Sequence, residues 1–330
     1  MRFGIGLPGV NPNSASRWDQ QQVLHSIIEI AKRADSLGFD YVTAQDHPVI
    51  PKASSTLIAP RWYDAIATLS FVAAFTTRVK LVTSVMVLPY RNPFTVAKSM
   101  ATLDVLSRGR AVLGAGVGHM RPEFETLGVS YAERGPITDE YIAIMQGLWR
   151  EPAFTYQGKY HQFHDMVLSP KPVQRPLPIW AGGNERPAVR RAYSLCQGWA
   201  PFLIKPDQMK SLTGYGRGLA KESGRDPDIA IVAPLGPVLR NEVAAAKRSP
   251  EQIEARVKQV AGDSEYYQKL VRRTLETPPS LTTPEDIHEQ IKTWKAAGAT
   301  HFNVNFRYRE LSHLTEAIDW FAKEILPKYR

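Results

Sequence analysis

The 330-residue chain holds one cysteine, Cys196, and that scarcity excludes an intramolecular disulfide. A lone thiol of this kind points to a reducing compartment and reads as a buried, inert side chain before it reads as a nucleophile. No apolar run approaches the ~18 residues that a membrane span needs. The apolar start, Met1 to Leu7, stops at Pro8-Gly9 and reads as a first strand, not a signal peptide. These absences predict a cytoplasmic protein without a membrane partner. Chemical signatures are missing as well. There is no Gly-x-Ser-x-Gly, Walker loop, kinase set or convincing carboxylate dyad, which disfavours nucleophilic hydrolysis. Without His-Glu-x-x-His or His-x-x-x-His, no metal site is expected. Negative charge is also in short supply: 41 Lys and Arg face 32 Asp and Glu, a formal charge of +9. The basic residues are interspersed with acidic ones and form no run, so nucleic acid is not expected as a partner. A small phosphorylated or polycarboxylated molecule suits the charge better.

What is present is hydrophobic patterning. With 43% hydrophobic residues, the chain can bury a large core as one α/β barrel or two ordinary domains. The most informative stretch runs from Arg78 to Gly128. Val79–Leu88 is apolar and β-branched, as a strand buried on both faces must be. From Asn92 to Leu106 the period becomes helical, with Pro93 near the start and Gly109 past the end. Ala111–Gly114 is a second buried strand, running into Gly116-Val117-Gly118-His119. Elsewhere Gln22–Leu37 is helical and Gly38 suits its C-terminal cap. Phe39–Ala44, Ile179–Ala181, Gly198–Ala200, a segment within Asp228–Leu239, and Phe302–Phe306 read as further strands, with helices between them. Eight strands alternating with helices predict a single (β/α)₈ TIM barrel over residues 1–330, with insertion segments at 151–178 and 240–280 near its mouth. The runner-up, a doubly wound sheet, is disfavoured because no G-x-G-x-x-G follows the first strand.

In such a barrel the chemistry sits at the C-terminal ends of the strands. Those positions carry Pro8, Gly9, Asp46, His47, Thr83, Ser84, Gly116, Gly118, His119, Gly182, Gly183, Asn184 and Asn305. Asp46-His47 reads as an acid/base pair or as a loop start, because imidazole moves protons near neutrality. Thr83 and Ser84 place hydroxyls in an apolar strand, where they bond either backbone or a planar ring. Two glycine pairs, the second at a helix start with Arg186, Arg190 and Arg191 nearby, suit a phosphate. Trp62, Tyr90, Met86 and Met120 are candidates for a pocket wall. A ring-sized slot with hydroxyls, a phosphate site and histidines suits a flavin-type cofactor that carries the electron chemistry itself.

Residues 37–47 (LGFDYVTAQDH), 79–128 and 178–201 (PIWAGGNERPAVRRAYSLCQGWAP) resemble the bacterial luciferase-like superfamily of flavin- and deazaflavin-dependent oxidoreductases. The form GVG-x-x-R-x-EF-x-x-LG, Gly116 to Gly128, is similar to the branch that uses coenzyme F420. The resemblance implies a TIM barrel, often homodimeric, and hydride transfer between F420 and a small organic substrate. It implies that Asp46 and His47 lie close to the reactive ring edge, which with His119 makes the candidate catalytic set His47, Asp46 and His119. The cofactor contacts it implies, together with the strand ends, are Pro8, Gly9, Asp46, His47, Thr83, Ser84, Val85, Gly114, Ala115, Gly116, Gly118, His119, Gly182, Gly183 and Asn184. One departure is plain: F420-dependent sugar-phosphate dehydrogenases of similar sequence carry Glu where this chain has His119. The alternatives are an FMN-dependent monooxygenase supplied by a separate reductase, and a non-catalytic flavin-binding protein.

Overall fold

The structure is a computed structural model that describes residues 1–8, 20–52, 61–239, 249–261, 268, 272, 280–308 and 310–330. Gly9 therefore lies outside the described residues. The first half runs β1 (Arg2–Gly6), α1 (Gln20–Leu37), β2 (Tyr41–Ala44), α2 (Ala65–Ala73), β3 (Lys80–Thr83) and β4 (Met86–Val87). It continues through α3 (Pro93–Leu106), β5 (Ala111–Gly116), α4 (Arg121–Thr126) and α5 (Arg134–Arg150). An antiparallel hairpin follows, β6 (Phe154–Gln157) with β7 (Gln162–Met166). Then come β8 (Ile179–Gly182), α6 (Arg186–Leu195), β9 (Gly198–Ala200), α7 (Pro206–Glu222) and β10 (Ala230–Val238). The chain ends with α8 (Pro250–Ala261), α9 (Pro284–Ala296), β11 (His301–Phe306) and α10 (Leu311–Glu324).

The parallel strands pair in the order β3-β2-β1-β11-β10-β9-β8-β5-β4, and β3 pairs with β5 to close the ring. Because β3 and β4 are two pieces of one stave, this is a closed eight-stave (β/α)₈ barrel. The sequence reads Val79–Leu88 as one strand, but the structure interrupts it at Ser84-Val85, whose peptide bond is cis. Upstream of the break β3 pairs with both β2 and β5; downstream β4 holds β5 alone. Gly4-Ile5-Gly6-Leu7-Pro8-Gly9 has dinucleotide-loop spacing, yet Gly4 and Gly6 lie within β1 and pair with neighbouring strands. They build the wall and form no loop.

Local chemistry explains the elements. Asn92 caps α3 by accepting from the backbone N–H groups of Phe94 and Thr95, and Gly109, at φ +83°, follows its end. Helix α9 begins with a capping box between Thr283 and Asp286. Alternation along the strands sends Phe3, Ile5, Val42, Leu81 and Leu113 outward into the helical layer, where they join one continuous core. Tyr41, Val82, Val112, Trp180 and Val232 form a separate cluster inside the barrel. Above that floor the inward positions become small: Gly6, Thr43, Gly114, Gly116, Gly182 and Ala200. Gly6 and Asn305 are exposed although both belong to the wall, so the interior opens at the strands' C-terminal ends.

The two segments expected as insertions differ in how much of them the structure describes. Residues 151–178 contain the hairpin, anchored on α5. The second excursion is rooted at the end of β10, where Leu239 and Leu281 bond backbone to backbone at 3.0 Å. Helix α8 belongs to it; most of the rest of 240–280 lies outside the described residues. Helix α4 was not expected, because six residues are too few to display a helical period.

Candidate functional site at the barrel mouth

The loop after β2 delivers Asp46 and His47, and the structure sends their side chains to different partners. Asp46, 4% exposed, receives two parallel bonds from Arg91, at 2.6 and 2.8 Å. Arg91 also reaches Asp64, the N-cap of α2, at 2.9 Å. Burial pushes the Asp46 carboxyl up while the guanidinium pulls it back, and Arg91 is itself raised by its two carboxylates against the cost of its burial. The direction we assign is a charged pair at neutral pH, because a two-point guanidinium contact offsets desolvation.

His47 is held instead by Glu123 on α4, a residue that sequence patterning did not single out. Its Nδ1 lies 3.0 Å from Glu123 Oε1, and the Tyr90 hydroxyl donates to Oε2 at 2.9 Å. Glu123 is 1% exposed. Burial and then the neighbouring Glu123 charge raise Tyr90 far above its usual value, so it stays a neutral donor. The motif R-x-E-F contains Glu123, but only the fold shows that its carboxylate faces a histidine 76 residues away. Trp62 flanks the His47 ring at 4.6 Å between centroids, and His119 meets it edge-on at 6.0 Å.

His119 has a different electrostatic setting. Burial, then the nearby His47 and Arg134, bring its pKa down to about 4, so it is neutral at physiological pH. Arg134, at the start of α5, stacks on Tyr131 at 3.9 Å and donates to the Tyr131 carbonyl. Its Nε is buried without a hydrogen-bond partner, and among the described residues no carboxylate pairs with it. Arg191 on α6 donates to the Gly135 carbonyl at 3.2 Å, which binds the first turn of α5 to α6.

Glycines shape the floor of the mouth. A Cβ on Gly116 would lie 2.6 Å from Val85 Cγ2, and one on Gly182 would lie 3.1 Å from Val85 Cγ1. Val85 thus sits between two bare backbones, half-buried beside Ser84. At Gly114 a Cβ would strike the Thr83 carbonyl at 1.8 Å, a close approach only glycine permits. Gly118 is left-handed at φ +78° and Gly183 has φ +121°.

Several expected contacts do not face this space. The Thr83 hydroxyl is fully buried and donates to the Gly114 carbonyl at 2.9 Å, so it is not available to a ring. Ala115 is 1% exposed and points into the helical layer, because strand alternation turns it away from Gly114 and Gly116. Met120 is 2% exposed and Pro8 is buried, so neither offers an open wall. Asn184 bonds both backbone groups of Phe202, accepting from its N–H at 2.9 Å and donating to its carbonyl. It pins the loop after β9 with one donated and one accepted bond. Cys196 is buried and its thiol is pushed up to about 12 by desolvation, which leaves it inert. Among the described residues no three His, Cys, Asp or Glu side chains converge on a metal-sized point, and no helix is long and apolar enough to cross a membrane.

The sequence profile described as luciferase-like monooxygenase matches residues 1–301. An F420-dependent glucose-6-phosphate dehydrogenase of Kineococcus radiotolerans is 30% identical over 280 residues, covering 82% of this chain and 74% of that one. An FMNH(2)-dependent dimethylsulfone monooxygenase of Pseudomonas putida is 24% identical over 357 residues, covering 100% and 95%. The crystal structure of monooxygenase RslO1 from Streptomyces bottropensis superposes with a TM-score of 0.78 at 21% identity, covering the whole of both chains.

Proposed function

The chain belongs to the luciferase-like monooxygenase family, and from that premise we propose that its mouth binds the deazaflavin coenzyme F420 and exchanges hydride with a small organic substrate. Relatives that use F420 and relatives that use FMN both match the chain, so a flavin-type cofactor stands for either. The residues present fit such a group. The bare backbone at Gly116 and Gly182 seats the half-buried side chain of Val85, an apolar surface on which a planar ring can lie. Arg134 supplies a partly buried cation that no carboxylate pairs with among the described residues, and the first turn of α5 is bonded to α6 through Arg191, a setting that favours a phosphate. When bound there, a deazaflavin supplies a carbon centre that gives or takes hydride.

The observation that carries the reading is His47. Its Nδ1 is committed to Glu123, and among the described residues its Nε2 has no hydrogen-bond partner. A ring fixed at one nitrogen and open at the other can move a proton at Nε2 in step with hydride transfer. His119, neutral above pH about 4, forms the neighbouring wall and is not a resting cationic acid. Trp62 packs against the His47 ring at 4.6 Å between centroids.

The test has two arms. Apo-protein titrated with F420 and with FMN, followed by fluorescence, should bind F420 at least about tenfold more tightly, a difference of ~1.4 kcal/mol. His47→Ala should lower turnover about 100-fold or more with little change in cofactor affinity. Preferential FMN binding with oxygen consumed in step with product would instead favour the monooxygenase reading, which the replacement of the expected Glu by His119 supports. Equal losses of affinity and turnover would assign His47 to binding.

A further inference from the structure

Among the groups around the mouth, the buried carboxylate of Glu123 has the most definite geometry, and the reading above uses it only as the partner of His47 Nδ1. It projects from α4, a helix of six residues inserted directly after the Gly118 turn. Met120 and Arg121-Pro122 lead into it, and Phe124 on the next position is fully buried against Tyr90 and Tyr131, at ring distances of 4.7 and 5.2 Å. That packing leaves the carboxylate little freedom. Each oxygen has one partner: Oε1 faces His47 Nδ1 and Oε2 accepts from the Tyr90 hydroxyl. Tyr90, in turn, ends the single 3₁₀ turn that follows β4. The three residues come from three successive strand-to-helix connections of the barrel, after β2, β4 and β5.

A histidine has two neutral tautomers, and which one is present depends on what each nitrogen meets. A carboxylate accepts and cannot donate. With Tyr90 already donating to the far oxygen, the near oxygen is satisfied by an N–H from His47 and, among the described residues, by no other hydrogen bond. We propose that Glu123 is the positioning residue that holds neutral His47 as the Nδ1–H tautomer, with Tyr90 fixing Glu123, so that the Nε2 lone pair is presented to the mouth. The inference rests on the functional reading for its purpose, but the tautomer itself is a property of the free protein. Glu123 touches neither substrate nor cofactor in this scheme; it acts through His47.

Among the described residues, the ionisable groups facing His47 are Glu123 from α4, His119 from the preceding turn, and Asp46 beside it in the chain. His119 is neutral and Asp46 is engaged with Arg91. Glu123 is therefore the acceptor in contact with Nδ1, and removing its charge should release the tautomer with no competing carboxylate to replace it.

The experiment is nitrogen NMR on protein labelled with ¹⁵N-histidine, at about pH 8.5, two units above the ordinary imidazole value. His47 is assigned by the loss of its signals in His47→Gln. In the wild type, His47 should show a protonated-type Nδ1 shift and an unprotonated-type Nε2 shift. Glu123→Gln should lose that pattern and move population to the Nε2–H form, Glu123→Asp should restore it in part, and Tyr90→Phe should weaken it. A wild-type ring already in the Nε2–H form, or a Glu123→Gln ring with unchanged shifts, would overturn the proposal. Should Glu123→Gln fail to fold, the wild-type spectrum and Tyr90→Phe still decide. None of these spectra needs a cofactor, so failure to bind F420 or FMN would count against the functional reading and leave this one standing.

Discussion

Adjacent residues in extended backbone point in opposite directions, and this explains how Asp46 and His47 could be found in the sequence but not understood there. As neighbours they read as a pair. In the fold Asp46 goes to Arg91, 45 residues on, and His47 goes to Glu123, 76 residues on. Neither pairing carries a local signal: Arg91 stands just before the helical period at Asn92, and the R-x-E-F motif that holds Glu123 does not show which histidine it faces. The energetic consequence can be tested at Asp46. Removing one member of a buried ion pair leaves an uncompensated charge and costs roughly 3–5 kcal/mol. Arg91→Met should therefore lower unfolding stability by about 3 kcal/mol in urea titration, somewhat discounted because the Arg91 side chain is 19% exposed. Adding Asp46→Asn should return at least ~1 kcal/mol of that loss, since the two changes share one interaction. Additive losses would mean that the pair is not coupled.

At the scale of elements, most helices and strands were legible because each repeats its period over enough residues. Helix α6, Arg186–Leu195, and strand β9, Gly198–Ala200, fall where patterning puts them. The aromatic-rich excursion at 153–178 reads as an insertion that could hold a small hairpin, but what fixes the hairpin is a single distant side chain that patterning does not reveal. Glu140 of α5, 8% exposed, accepts from the backbone N–H groups of Lys159 at 2.7 Å, Tyr160 at 3.1 Å and His161 at 2.7 Å. Phe154, Tyr156 and Phe163 then pack together at ring distances of about 6 Å with Phe94 beside them. Without that carboxylate the turn has three donors and no acceptor, each worth ~1–3 kcal/mol when buried. Glu140→Ala should open the hairpin without unfolding the barrel. Hydrogen exchange would show protection falling at least tenfold across 154–166 while β5 and β8 keep theirs; uniform loss across the barrel would contradict this.

For the whole molecule, the alternation of strands and helices revealed the barrel, whereas its closure through β3 and β5 is a property of three-dimensional pairing. The barrel also encloses two histidines that burial keeps neutral, one at each end. His119 stands at the mouth; His301 lies on the floor, its ring 5.3 Å from Trp180 and 6.2 Å from Tyr41. Burial brings both down to about 4, with neighbouring cations adding to it. Unfolded histidine titrates near 6.5, so between these values the unfolded chain binds protons that the native chain refuses. Native stability must then decline as pH falls through 6.5, and the decline is complete near 4, at roughly 3 kcal/mol for each residue. This window lies above that of Asp35, whose burial would raise it but whose bonds from Thr77, Arg78 and Val79 hold it below the usual carboxylate value. Its contribution is present above that value and disappears only at more acid pH. Urea unfolding at pH 7 and pH 4.5 should therefore show a smaller loss on acidification, by about 2 kcal/mol, in His119→Gln and again in His301→Gln. Because the two sites sit at opposite ends of the barrel, their effects should add in the double variant; a sum well short of additive would mean that mouth and floor respond to acid as one unit.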